Sequence, residues 1–83
     1  MEIKDTIPMM TDSDYKERFR AEYFQLTIRM EKLREMLVKM TAGTLEFTPL
    51  CSFELLSEQH SIMHRLCDVL EERAKIEGID LTT

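Results

Sequence analysis

Long apolar runs are missing from this sequence, as are the marks of a secreted disulfide-rich protein. No stretch approaches the roughly 18 apolar residues that a membrane-spanning helix needs, and the N-terminal MEIKDTIPMM lacks the apolar segment of a signal peptide. Cys51 and Cys67 are too few for a disulfide framework. We therefore expect an intracellular chain with reduced thiols and no membrane partner.

Positive charge is also scarce, because 11 Lys and Arg residues stand against 16 Asp and Glu residues and leave a net charge of −5. General nucleic-acid binding needs a basic surface that displaces counterions, so it is not expected here. Residues 13–43 carry seven basic and five acidic residues, whereas residues 44–83 carry three and eight. The opposite signs favour packing of these two parts against each other.

Glycine and proline, which interrupt helices, occur only twice each. Two long helices are predicted, one between Pro8 and Gly43 and one between Pro49 and Gly78. The first follows from an apolar seam that runs from Phe19 to Met40 in steps of four and three over about three heptads. Gly43 is expected to end it in the left-handed conformation. The sequence predicts a helix over about residues 13–42. Its alternative N-caps are Thr11, Asp12 and Ser13.

The second predicted helix is apolar on two sides. Ser52 can cap its start, because Pro49 disfavours helical geometry just before it, and Gly78 followed by Ile79 indicates its end. The pattern predicts a helix over about residues 53–77 that is buried on more than one side. Its two stripes are Leu55, Ile62, Leu66, Val69 and Ile76, and Leu56, Met63, Leu70 and Ala74.

Two helices of similar length favour an antiparallel hairpin, which covers only one of these stripes. A chain of this size is marginally stable without help, and self-association supplies it. We expect an all-α antiparallel helical hairpin that assembles into an oligomeric helical bundle, with the number of copies left open. Residues 1–11 lack a sustained period and are expected to form a flexible N-terminal arm. Residues 12–81 then form a single helical-hairpin domain.

The predicted connection between the helices is unusually apolar. Residues 43–51 are longer than a bare turn needs and contain Leu45, Phe47 and Leu50. We expect these side chains to fold back over the open end of the bundle or to meet a neighbouring subunit.

A weak candidate metal site lies in the second helix. His60 and His64 share a helix face, and Cys67 lies one turn further along. Only Glu71 or a partner chain could complete the ligand set, so ordinary exposed or interface histidines are the preferred interpretation, and no metal or other cofactor is expected. A thiol nucleophile would need a pocket, an orienting group and an oxyanion site, which the interior of a long helix lacks, so the chain is not expected to be an enzyme.

The start of the first helix is the candidate ligand site. Tyr15 and Tyr23 offer rings for stacking, and Arg18 and Arg20 offer guanidinium groups for a phosphate. The unpaired amides of the helix N-terminus favour an anion as well. Arg65 of the second helix is a further candidate. These ingredients suit a phosphate-bearing nucleotide, although seam aromatics and solubilising charges would explain the same residues.

Four stretches carry a family resemblance: DYKERFRAEY, TAGTLEFTP, CSFELLSEQHSIM and LEERAKIEGIDL. Over residues 14–81 the chain resembles a largely uncharacterised family of short acidic two-helix proteins from crAss-like gut bacteriophages and related prophages. The resemblance implies a phage protein in the cytoplasm of its bacterial host. The layout is also similar to small helical phage sponge proteins, which are homo-oligomers that sequester cyclic nucleotide or ADP-ribose-derived messengers of bacterial immunity.

These similarities imply a non-catalytic, oligomeric counter-defence protein that binds and sequesters a nucleotide-derived immune signal. Its expected partners are further copies of itself and such a messenger. One alternative is a protein-binding inhibitor of a host defence protein, such as an anti-CRISPR-like or host-takeover factor. Another alternative is a structural oligomerisation module without a ligand.

Overall fold

The computed structural model describes all 83 residues and contains helices and no strands. A 3-10 turn at Ile3–Thr6 leads into the short helix α1 (Ile7–Met10), which is followed by the long helices α2 (Tyr15–Ala42) and α3 (Phe53–Glu77). The prediction of an all-α chain is confirmed, and both long helices lie where the apolar periodicity predicted them. None of the helices combines the length and the apolar character that crossing a membrane would require.

Both long helices end at a glycine, as predicted. Gly43 has a φ of 73° and Gly78 has a φ of 69°, values that suit glycine because it has no Cβ to clash. After Gly78 the amide of Ile79 donates to the Ala74 carbonyl oxygen at 2.9 Å, and Ile79 is buried. The chain therefore turns back onto the end of α3 and adds an apolar side chain to the core there.

The predicted N-cap is confirmed for α3 but not for α2. Ser52 Oγ accepts from the Leu55 amide at 3.1 Å, so the predicted N-cap of α3 is confirmed. At α2 the N-cap is Asp14, whose Oδ1 accepts from the Lys16 amide at 2.9 Å. Asp12 stands outside the helix and accepts from the Asp14 amide at 2.8 Å. Several capping residues in a row made the sequence ambiguous, and the predicted caps at positions 11–13 are wrong.

The core lies at one end of the molecule, where the start of α2 contacts the end of α3. Its central cluster joins Phe19 of α2 to the end of α3 and the segment after it, and consists of Phe19, Leu70, Ala74 and Ile79. We call residues 3–25 and 67–83 the base, and residues 26–66 the distal part. All eight buried residues of the chain belong to the base.

The N-terminal segment is helical and contacts α2. Thr6 is completely buried; its hydroxyl donates to the Ile3 carbonyl oxygen at 2.6 Å and accepts from Gln25 Nε2 at 2.9 Å. Both bonds fit a hydroxyl, which has one donor and two acceptor positions. These helical turns are too short to show a period, so the sequence prediction did not contain them. The division into an arm (1–11) and a domain (12–81) stays a prediction.

The two apolar stripes of α3 have different environments. Leu70 and Ala74 of one stripe are buried against α2, and Leu56 and Met63 are half-buried. Every member of the other stripe is exposed, and we call this set the outer stripe: Leu55, Ile62, Leu66, Val69 and Ile76. A single chain therefore covers one side of α3 and leaves the second apolar side open.

The apolar side chains of the connection between α2 and α3 are not packed into the single chain. Leu50 is fully exposed, Phe47 is largely exposed and Leu45 is half-buried. None of the three is buried in the single chain, because the distal part contains no buried core that could receive them. The expectation that they fold back over the open end of the bundle stays a prediction. A contact with a neighbouring subunit stays a prediction.

Candidate functional site

Tyr15, the first residue of α2, is bonded to the end of α3. Its hydroxyl donates to Glu77 Oε1 at 3.2 Å, and Arg73 Nε donates to Glu77 Oε2 at 2.8 Å. The Arg73 guanidinium lies over the Phe19 ring, 4.9 Å from its centroid. The bond from Arg73, followed by that from Tyr15, lowers the pKa of Glu77, and desolvation raises the pKa of Tyr15. Tyr15 is thus engaged in joining two helices.

Arg18 and Arg20 point to different sides of α2, since positions two apart on an α-helix are rotated by roughly 200°. Arg18 Nη1 donates to the Asp12 carbonyl oxygen at 2.6 Å. Arg20 Nη1 donates to both carboxylate oxygens of Glu17 at 3.0 and 3.1 Å, and its Nη2 donates to the Thr82 carbonyl oxygen at 3.1 Å. The two guanidinium groups therefore do not converge on one phosphate within a chain.

Arg20 is the more deeply placed of these arginines. Its guanidinium lies over the Phe24 ring at 5.4 Å from the centroid, and Tyr23 meets Phe24 edge to face with centroids 5.8 Å apart. Its Nε is buried and has no hydrogen-bond partner. Arg20 thus links an aromatic pair at the base to residues 79–83, which we call the tail, and retains one unused donor.

An open cleft of about 330 Å³ lies beside Tyr23, between α2, the end of α3 and the tail. This volume is at the lower end of the range for small-molecule sites. Lys75 supplies a cation that forms no ion pair within the chain. Desolvation, followed by the charge of Glu71, raises the pKa of Tyr23, so its hydroxyl stays protonated and can donate. The cleft is lined by Tyr23, Glu71, Ala74, Lys75, Ile79, Leu81 and Thr82.

The structure brings only part of the predicted ligand set to this cleft. Tyr23 lines it, and Arg20 borders it through its bond to Thr82. Tyr15, Arg18 and Arg65 are not among its lining residues. Sequence reasoning did not select Lys75 or Thr82. The one feature of the sequence that could have indicated them is Gly78. It ends α3 and turns the tail back toward the last turn of that helix.

Arg65 lies in the exposed middle of α3 and forms no ion pair. It stands five residues before Leu70, a distance of about 7.5 Å along the helix axis. Its side chain is therefore free for contacts outside the chain, and its place in a ligand site stays a prediction.

The weak metal candidate is not assembled by the fold. Cys67 is buried, which raises the pKa of its thiol and disfavours the thiolate that binds a metal. His64 Nδ1 lies 3.6 Å from Asp68 Oδ2 and is largely exposed. No group of three or more His, Cys, Asp or Glu side chains is placed to hold an ion. His60, His64 and Cys67 therefore do not act as one ligand set within the chain.

The chain matches a known protein family. A family model described as Sequestin matches residues 13–76, which span nearly all of α2 and α3. No curated protein and no solved structure matches the chain. The name of the family suggests a non-catalytic protein that sequesters a bound molecule. The chain belongs to the Sequestin family.

Proposed function

We propose that this chain is a non-catalytic bacteriophage counter-defence protein that binds and withholds a nucleotide-derived immune signal in the host cytoplasm. Family membership supports sequestration in general. The observation that supports a nucleotide is the cleft at the base, where the Tyr23 ring, the Lys75 ammonium and the protein's C-terminal tail meet.

Each part of the cleft matches one part of a nucleotide. Stacking of a base on an aromatic ring such as Tyr23 stabilises a complex by about 1–3 kcal/mol. Lys75 is an unpaired cation for a phosphate, and Arg20 becomes a bidentate phosphate donor if it releases the Thr82 carbonyl oxygen. Glu71 can accept from ribose hydroxyls, while its charge opposes a ligand with many phosphates. The site favours a cyclic nucleotide or an ADP-ribose derivative over a triphosphate.

The oligomeric part of the proposal extends the observed helix packing. The Tyr15–Glu77 bond and the Phe19–Leu70–Ala74 cluster support an antiparallel hairpin of α2 and α3. Two or more hairpins assembled into a bundle would cover the apolar surface that one chain leaves open. Tyr15, Arg18 and Arg65 then contribute to a ligand site only from a neighbouring subunit.

Isothermal titration tests the ligand class. Folded protein is titrated with cyclic dinucleotides, cyclic trinucleotides and ADP-ribose derivatives, and we expect saturable heat with at least one of them. Lys75→Gln should weaken that binding about tenfold or more, because a hydrogen bond to a charged group contributes about 1.5–3 kcal/mol. Lys39→Gln, an exposed lysine in the last turn of α2, is the control and should bind like the native protein.

Two outcomes would contradict the proposal. Folded protein that gives no heat with any ligand of the panel rules out a nucleotide sponge of this kind. Binding that both lysine variants leave unchanged removes the cleft from the site, and the ligand then has to be located elsewhere.

A further inference from the structure

We propose that the outer stripe of α3 is a homodimer interface, in which α3 of a second copy packs antiparallel about a two-fold axis within about one turn of Leu66. The inference rests on the oligomeric part of the proposed function and deepens it by assigning the face and the orientation. It does not depend on the identity of the ligand.

The outer stripe is a nearly straight seam along α3. Leu55, Ile62, Val69 and Ile76 follow one another at intervals of seven residues, and Leu66 lies between the middle two. Residues seven apart return to almost the same side of a helix, with a drift of about 20°. From its first to its last residue the seam is about 32 Å long at ~1.5 Å per residue. It has the spacing of a coiled-coil seam that lacks its partner.

The single chain has little else to stabilise its distal part. None of the side chains in residues 26–66 is fully buried. Both cysteines are free, so no disulfide stabilises the chain. Chains below about 70–80 residues rarely obtain enough stability from one core and commonly add a disulfide, a metal or self-association, and this chain is barely longer. A continuous row of exposed large aliphatic side chains is unusual on a soluble monomer and marks an interaction site.

Charges beside the outer stripe identify the partner as a second copy. Glu58, Arg65 and Glu72 stand on one flank at intervals of seven residues, and all three are exposed and form no ion pair within the chain. A two-fold axis perpendicular to α3 sets this same flank of both copies side by side, running in opposite directions. The flank therefore meets its own reversed pattern of negative, positive and negative charge.

A shift of one heptad makes this flank complementary to itself. Without a shift Arg65 meets Arg65 of the second copy, which is unfavourable. With the shift, each Arg65 meets either Glu58 of the other copy, which places Leu66 beside Leu55 of that copy, or Glu72, which places Leu66 beside Val69. The arrangement that pairs the charges thus keeps Leu66 against an apolar side chain of the other copy, and the flanking ion pairs set the alignment, as they do in coiled coils.

The first test measures mass against concentration by analytical ultracentrifugation. Native protein should sediment as a dimer or a multiple of a dimer, and Ile62→Glu should at least halve the mass. Ile7→Glu is a matched control, because Ile7 is also an isoleucine and is 59% exposed against 62% for Ile62, but it lies in α1. Native protein that is monomeric at every concentration overturns the proposal and leaves the outer stripe to a different protein.

The second test uses charge and alters only exposed side chains. Arg65→Glu makes the flank wholly acidic, and the pair Glu58→Arg with Glu72→Arg makes it wholly basic. Each variant alone should dimerise on the order of tenfold more weakly, and an equal mixture should form a heterodimer at least as tight as the native dimer. If both variants dimerise like the native protein and the mixture shows no preference, the antiparallel arrangement is wrong.

Failure of this inference and failure of the proposed function give different results. A dimer that binds no nucleotide rejects the ligand class and keeps the interface. A monomer that binds nucleotide keeps the ligand class and rejects the interface. Helix content from circular dichroism confirms that each variant is folded, and the charge variants decide the question if Ile62→Glu does not fold.

Discussion

The base and the distal part of α2 and α3 have similar helical backbones but are held together differently. In the base, side chains far apart in sequence meet: Tyr15 bonds to Glu77, and Arg20 bonds to Thr82. In the distal part every side-chain hydrogen bond joins residues three or four positions apart, as in the pair Glu31–Arg34. Side-chain hydrogen bonds thus connect distant parts of the sequence in the base, whereas in the distal part they stay within one helix turn.

This difference separates folding from assembly. The base buries the core of the single chain, so substitutions there should lower the free energy of unfolding of the chain itself. The distal part buries no residue completely, so its order depends on helix propensity, caps, half-buried contacts such as those of Leu56 and Met63 and, in our proposal, a second copy. Low-stability segments of this kind open locally at little cost in free energy.

The largest difference between the two parts is expected for leucine truncation. Leu70 is 3% exposed in the base, and Leu70→Ala should lower the free energy of unfolding by about 2–5 kcal/mol, because it leaves a cavity in the core. Leu50→Ala in the connection should change it by less than about 0.5 kcal/mol. Urea unfolding followed by circular dichroism at monomeric concentrations measures both. Equal effects would show that the connection is packed like the core.

A smaller difference in the free energy of unfolding is expected when the two C-cap glycines, which have almost the same φ, are replaced by alanine. A residue with a Cβ costs roughly 1–2 kcal/mol in this conformation, and an added Cβ meets only Lys16 Nζ at 3.9 Å at Gly78 and nothing at Gly43. Gly78→Ala should therefore cost about that amount, since Ile79 must stay in the core.

Gly43→Ala introduces the same backbone strain at the distal end. There the last turn of α2 can unwind without exposing a buried residue, so thermal unfolding should show a smaller shift than for Gly78→Ala. A larger shift for Gly43→Ala would reverse the proposed order of stability between the two parts.

The smallest difference, in the melting temperature and its pH dependence, is expected when the carboxylates of Glu77 and Glu31 are replaced by amides. The bond from Arg73 lowers the pKa of Glu77, and the bond from Arg34 lowers the pKa of Glu31. A lowered pKa means that the stabilisation is present above the ordinary value of 4.5 and is lost as the pH falls below it. Glu77→Gln should thus lower the melting temperature slightly at pH 7, and this difference should shrink as the pH falls through the lowered pKa of Glu77.

Glu31→Gln is the matched control for this pH dependence. The Glu31–Arg34 pair lies within one helix turn of the distal part, whereas Glu77 also accepts from Tyr15 of the other helix. The melting temperature should therefore respond less to Glu31→Gln at pH 7. A stronger response would mean that the distal part contributes to the cooperative unfolding of the base.

Part of the candidate site was readable from the sequence and part was not. The aromatic and basic residues at the start of α2 indicate the end of the molecule where the cleft lies, and Tyr23 lines that cleft. The divergence of Arg18 and Arg20 follows from their spacing of two on a helix, which does not fit the prediction that both hold one phosphate. Lys75 and Thr82 could not be assigned, because only the packing of α3 and the tail on α2 brings them beside Tyr23.

The sequence by itself determined the two long helices and most of their ends. Apolar periodicity, the Ser52 cap and the positive φ of Gly43 and Gly78 depend on residues close in sequence, so local physical chemistry suffices to predict them. Only the tertiary structure decided that the core forms at one end, that Thr6 anchors the N-terminal turns on Gln25, and that the outer stripe stays open. Those features depend on which surfaces meet across many residues of chain, and local propensity does not specify such contacts.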